Sequence, residues 1–406
     1  MPSRRTFLSL LAGSAVASHL FAVAQRRPQL ALYANVGPVL SHYDVGLANS
    51  ELIKRNSVTL RAGVQYCWPH RNRRFFYVAS SSSAGGNVQT GTDHHVTAFR
   101  IDPATGALKQ IGDPMRLPVR PIHMTLDNES QHILVAFNIP SSLRAYRIQK
   151  DFTPGDEVPQ DTMDAGVYAH QVRVTPDGRH VVLVTRGNEG TAQKPEDPGA
   201  LMVFDYKEGR LSNQYKIAPN GGRGYGPRHL DFHPTEPWMY VSIETQNQMH
   251  MHRMQAGKPL PEVVFNKTTL LEPGNIRSRQ AASAVHVHPN GRFVYGANRS
   301  QDVVDWNGKK VYKGGENSIV VYAINQKTGE PTAIQHIETR KFHPRTFHVD
   351  PSGRVLVAQH NLPVDVRDGD AVRTVPAGLS VFRIAADGTL TLAHTYDIDV
   401  GDKSMW

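Results

Sequence analysis

One hairpin, written six times along the chain, limits the possible fold more than any other feature. Its clearest copy is AVHVHPNGRFVYGANRS, Ala284–Ser300: a strand, the tight turn His-Pro-Asn-Gly, and a second strand. Similar copies are RHLDFHPTEPWMYVSIE (Arg228–Glu244), HQVRVTPDGRHVVLVTR (His170–Arg186) and RTFHVDPSGRVLVAQHN (Arg345–Asn361), with weaker ones at Ile122–Asn138 and Gln65–Ser81. A unit of this size cannot bury its apolar face alone, so the copies must stack on one another. Their turn positions are Arg71, Asn128, Pro176, Pro234, Pro289 and Pro351, between 48 and 62 residues apart.

Each hairpin is followed by a third strand, such as Val96–Ile101, Leu143–Ile148, Leu201–Tyr206, Ile319–Ile324 or Leu379–Ile384, then a Gly-containing turn and a fourth strand. β-branched and aromatic runs bounded by Gly, Pro, Asn and Asp are the strand signal. Four antiparallel strands at this period predict the blades of a propeller. Before the first hairpin, Leu30–Val36, Val39–Val45 and Leu52–Leu60 read as three more strands. The expected fold is therefore all-β: a seven-bladed β-propeller closed by N- and C-terminal strands sharing one blade. Asp399–Trp406 would supply that blade's missing inner strand, and the closure would leave no open sheet edge. Insertions at Gly187–Pro198 and Gln301–Gly315 follow second strands, which places them over one face of the disc.

Residues 1–24 are set apart from this pattern. Arg4-Arg5 precedes Thr6-Phe7-Leu8, an apolar stretch runs to Ala24, and Ala22-Val23-Ala24 forms an A-x-A cleavage signal. The paired arginines resemble a twin-arginine export signal. The expectation is a signal peptide over 1–24, a single propeller domain over 25–406, a periplasmic or secreted location, and no membrane insertion after cleavage.

The formal charge is +9, yet no run of Lys and Arg interleaves with aromatic residues, so the basicity reads as a dispersed surface and not as a nucleic-acid interface. A single cysteine, Cys67, rules out an internal disulfide or a CxxC site and is expected to pack in an inner strand. The 20 histidines include no HExxH motif. His286 with His288, and His250 with His252, alternate along strands as packing side chains. The Gly221–Gly224 cluster lacks the strand–helix context of a phosphate loop. No metal or other cofactor is expected, and the protein is read as a monomer.

Function is sought where the repeat breaks. The start of each first strand and the end of each second strand lie at the same end of the disc. Six residues before the turn position stand Gln65, Ile122, His170, Arg228, Ser283 and Arg345; ten after it stand Ser81, Asn138, Arg186, Glu244, Arg299 and Asn361. One residue further in are His123 and His229. Converging charges in a concave, partly dry place are costly, which points to function.

The segments GPRHLDFHPTEPWMYVSIE, AVHVHPNGRFVYGANRS and HPRTFHVDPSGRVLVAQHN resemble the seven-bladed lactonase family, which includes propeller-type 6-phosphogluconolactonase and carboxy-cis,cis-muconate cyclase. The similarity runs from Leu30 to about Tyr396. It implies an active-site funnel of His, Arg, Glu and Arg, falling here on His170, Arg228, Glu244 and Arg299, with Arg345 and His229 as neighbours; the rim count adds His123 and Arg186, and these four are read as substrate-binding. Thr185-Arg186-Gly187 stands where the family usually has Asp-Leu-Gly. An exported chain would not meet 6-phosphogluconolactone, so the resemblance implies a chemistry without fixing that substrate.

The reaction expected is metal-independent opening of an anionic sugar or carboxylate lactone. His170 would act as general acid/base at an ordinary, near-neutral pKa. Arg228 and Arg299 would stabilise the developing oxyanion, and Glu244 would orient water or an arginine. A muconate-type cycloisomerase could use the same residues, and a non-catalytic binding propeller would have the same fold.

Overall fold

The computed structural model describes residues 30–83 and 91–406; the expected signal segment lies outside them. Seven sheets surround one axis. The first blade comprises Ala31–Val36, Val39–Gly46 and Glu51–Thr59. The second to seventh begin with the inner strands Gly63–Pro69, Pro121–Leu126, Ala169–Val174, Pro227–Phe232, Ala281–Val287 and Pro344–Val349, each followed outward by three further strands in antiparallel register. No α-helix occurs among the described residues.

The core is layered. Among the described residues, seven apolar clusters each join one blade to the next. Strand residues alternate between faces, so each blade sends one set to either side. In the sixth blade, for example, Val294 and Val320 pack toward the fifth, while Tyr295 and Val321 pack toward the seventh.

Polar latches add specificity. His233 Nδ1 accepts the Glu236 amide at 2.9 Å, which leaves the proton on Nε2 to donate to the Gly291 carbonyl of the next blade at 2.7 Å. His288 repeats the arrangement onto Gly353 at 2.9 Å. Tyrosines latch in the same direction: Tyr240 donates to Gly329 at 2.8 Å, and Tyr295 to Gly388 at 3.1 Å. Gly291 is required twice over. Its φ is +71°, and an added Cβ would lie 2.5 Å from the His233 ring. Gly291→Ala should cost about 2 kcal/mol in chemical denaturation.

One expectation is corrected. The tail does not form an inner strand: Ala31–Val36 itself takes the innermost position of the first blade. The tail crosses this blade as irregular chain, with the Gly37 amide donating to the Ser404 carbonyl at 2.9 Å and the Trp406 amide to Asn35 Oδ1 at 3.2 Å. Tail and first blade thus meet at the closure, and packing joins them: Met405 and Val400 fill the apolar layer that holds the last blade against Tyr43 and Leu52 of the first. The Gln301–Gly315 insertion contains a hairpin, Val303–Trp306 with Lys309–Tyr312, and a similar hairpin not anticipated from sequence follows in the seventh blade, Val364–Asp368 with Ala371–Val375.

Candidate active site

All six inner strands of the repeated blades break register at one place. The ladder slips beside Gln65, Ile122, His170, Arg228, the pair Ser283/Ala284, and Arg345. These are the positions six residues before each turn. A bulge places two residues opposite one, bends the strand and re-aims a side chain. The fold thus repeats a structural device that presents one residue per blade, and the sequence varies only which residue is presented.

The bulge residues meet the ends of the second strands. Glu244, only 6% exposed, is the hub. One of its oxygens accepts from Arg299 Nη2 and lies 3.4 Å from Arg228 Nε. The other lies 3.5 Å from Arg186 Nη1. Arg228 and Arg299 are 2% and 7% exposed. Among the described residues, Arg345 has no carboxylate within ion-pair distance; its guanidinium lies 3.9 Å from the centroid of the Trp406 ring. The cluster is therefore not a closed set of pairs. One carboxylate faces four arginines, and Glu244 Oε2, Arg228 Nε and Arg299 Nε make no hydrogen bond.

His170 lies beside this cluster, its ring 5.1 Å from that of His229 and its Nδ1 without a partner. Burial first, then Arg228, His229, Arg186 and Arg345, hold its pKa well below the ordinary value. The near-neutral pKa expected from sequence is thus corrected: the resting imidazole is neutral. Burial pushes Glu244 upward, but Arg299, Arg228, Arg186 and Arg345 outweigh it, and the carboxylate stays ionised. Burial, followed by the other arginines, weakens the protonation of Arg228 and Arg299, with Glu244 opposing.

His229 borders the cavity below the cluster. His123 sits deeper, against Tyr66 at 3.8 Å between ring centroids and 6.3 Å from His229. Further along the axis, Asp231 pairs with Arg173 at 3.0 Å and lies 3.6 Å from His286. His286 thus faces the axis, whereas His288 is a blade latch. Cys67 lies in an inner strand as expected, and burial pushes its thiol up to about 12.

Three site residues were missed: Arg120, Tyr168 and His343. Each stands two residues before a bulge residue, and alternate strand residues share a face. Counting two further from the turn would have found them. Arg120 Nε donates to Gln65 Oε1 at 2.8 Å, and its guanidinium lies 5.1 Å from the Trp406 ring centroid. Tyr168 carries Arg186 on its ring at 4.2 Å. His343 Nε2 accepts from Arg299 Nη1 at 3.2 Å. Tyr168 and His343 both hold left-handed backbone, at φ +59° and +56°, a strain that non-glycine residues accept where the surroundings over-determine them.

Comparison with known proteins gives a consistent result. Residues 33–364 match the family described as lactonase, 7-bladed beta-propeller. A 6-phosphogluconolactonase of Bacillus subtilis is 26% identical over 337 residues, covering 78% of this chain and 84% of that protein. Another from an Enterobacter species is 24% identical, covering 71% and 74%. Among solved structures, the Pseudomonas aeruginosa periplasmic gluconolactonase superposes with a TM-score of 0.69 at 18% identity, covering 93% of this chain and 98% of that one.

Proposed function

The chain belongs to the family of seven-bladed β-propeller lactonases, and from that premise we propose that it hydrolyses a lactone at the His170–Arg228–Glu244–Arg299 cluster. The observation that carries this reading is the imbalance at the hub: four arginines around one carboxylate, beside a neutral imidazole. Such a site is prepared for negative charge that the resting protein does not supply.

His170 removes a proton from water as the oxygen attacks the lactone carbonyl carbon. The carbonyl π electrons move onto oxygen, and Arg228 and Arg299 donate to the resulting oxyanion. Glu244 holds these two guanidinium groups in place. When the tetrahedral carbon collapses, the ring C–O bond breaks and the proton on His170 passes to the leaving alkoxide. The product is a hydroxy acid, whose carboxylate Arg345 and Arg186 retain. Of relatives acting on 6-phosphogluconolactone and gluconolactone by name, this reading takes the lactone chemistry and an anionic sugar or carboxylate lactone as substrate class. Acid release in a pH-stat against carboxylated lactones tests it; absence of turnover on every lactone would remove it.

The pH profile follows from the depressed His170. A base must be deprotonated to act, so kcat/KM should hold its plateau below pH 6.5 and fall only as His170 protonates. A bound anion offsets the arginines that depress His170. The acid limb of kcat should therefore lie at higher pH than that of kcat/KM. Coincident limbs near pH 6.5 would contradict the assignment.

For residues 1–24 we propose twin-arginine export and cleavage after Ala24. Replacing Arg4 and Arg5 together by lysine should leave uncleaved protein in the cytoplasm, read by fractionation and intact mass.

A further inference from the structure

We propose that Trp406 is a positioning residue: its indole holds Arg345 and Arg120 as a subsite for a carboxylate or phosphate that the lactone carries before its ring opens. This rests on the lactone-opening reading and adds to it where the substrate's own charge binds. The Trp406 amide donates to Asn35 of the first blade, yet its ring packs against the apolar layer between the third and fourth blades. The side chain therefore reaches across the axis. There it meets two cations from different blades: the Arg345 guanidinium lies 3.9 Å from the ring centroid, and that of Arg120 5.1 Å. Trp406 and Arg345 border the axial cavity together with His170 and Arg228.

The arginines of the site are held in two ways. Glu244 fixes Arg228 and Arg299 and also offsets their charge. An indole attracts a cation to its π face but carries no net charge, so Arg345 and Arg120 are fixed and left uncompensated. Among the described residues, neither has a carboxylate within ion-pair distance. Arg120 donates only through Nε, to Gln65 Oε1 at 2.8 Å, and the Arg345 guanidinium donates no hydrogen bond within that set. Arg228 and Arg299 each have an orphaned Nε sealed from solvent, whereas no nitrogen of Arg120 or Arg345 is both unpaired and sealed. Their free N–H groups are thus within reach of a ligand. Burial, then Arg299, brings Arg345 down to about 9, with Glu244 opposing and Arg120 adding to the fall. Arg345 is therefore charged at neutral pH and repelled by Arg120. An anion that accepts from both relieves this repulsion, and the forked N–H groups match the oxygens of a carboxylate or phosphate.

The test compares γ-butyrolactone with its γ-carboxylate on the full chain. In the native protein the carboxylate should lower KM at least about tenfold. Trp406→Leu keeps an apolar side chain but removes the π face. It should shrink this KM ratio at least about fivefold, with kcat for the carboxylated lactone changed by less than about twofold. Trp406→Phe should restore most of the ratio. Arg120→Met should shrink it as Trp406→Leu does, and it serves as the test if the leucine variant does not fold. A purely structural tryptophan would move both KM values together and leave their ratio at the native value. That result, a native ratio near one, or a native ratio in Arg120→Met would overturn the subsite. Calorimetry with inorganic phosphate and with succinate separates the two readings, the tighter ligand naming the group. Binding weakened at least about fivefold in Trp406→Leu, without turnover of any lactone, keeps the subsite and removes the lactonase. Turnover with an unchanged ratio, and no binding of either anion, does the reverse.

Discussion

His170→Ala should lower kcat for lactone opening by about 10²–10⁴-fold, with KM changed much less. On the proposed mechanism the imidazole is the neutral base: it lies beside the arginine cluster and borders the same cavity as Arg228. His343 differs in both respects: its Nε2 accepts from Arg299, and it does not border that cavity. The substitution removes no hydrogen bond from Nδ1 of His170, so the melting temperature should stay close to that of the native protein. A purely architectural histidine would give the opposite pair of results: stability lost and turnover retained.

Glu244→Ala should have the largest effect on stability. Its carboxylate is the partner of Arg299, Arg228 and Arg186, two of which are almost completely buried. Removing one partner of a buried ion cluster leaves uncompensated charge, at a cost of about 3–5 kcal/mol. The arginines would also lose their fixed positions, so turnover should fall with stability. Adding Arg299→Met to Glu244→Ala removes one of the stranded cations and should recover part of the denaturation midpoint without recovering activity. Additive losses in the double variant would show that Glu244 and Arg299 do not act on each other.

The fold was legible because a propeller repeats its corners. His-Pro-Asn-Gly and its copies mark a turn that every blade needs, and the apolar positions around it recur because every interblade layer needs them. That the first tier of the candidate site comes together was legible from the same register, since Arg228 and His170 stand where copies of the hairpin disagree. Counting could not show that these positions are bulges, because a bulge leaves no mark on a single strand's sequence. Arg120, Tyr168 and His343 lie outside the hairpin copies as delimited, although strand alternation places them on the same face. The tail was misread because an absent fourth strand invited a substitute, whereas Met405 and Val400 close the ring by apolar packing.

The central claim is that water, activated at His170, attacks a lactone held by Arg228 and Arg299. Turnover in water enriched in heavy oxygen, followed by product mass, tests it most directly. The native protein should yield a hydroxy acid heavier than the lactone by one heavy water, with one labelled oxygen in the new carboxylate, and His170→Ala should form it at least about a hundredfold more slowly. A product of unchanged mass, as cycloisomerisation gives, or labelled acid formed by His170→Ala at the native rate, would contradict the account.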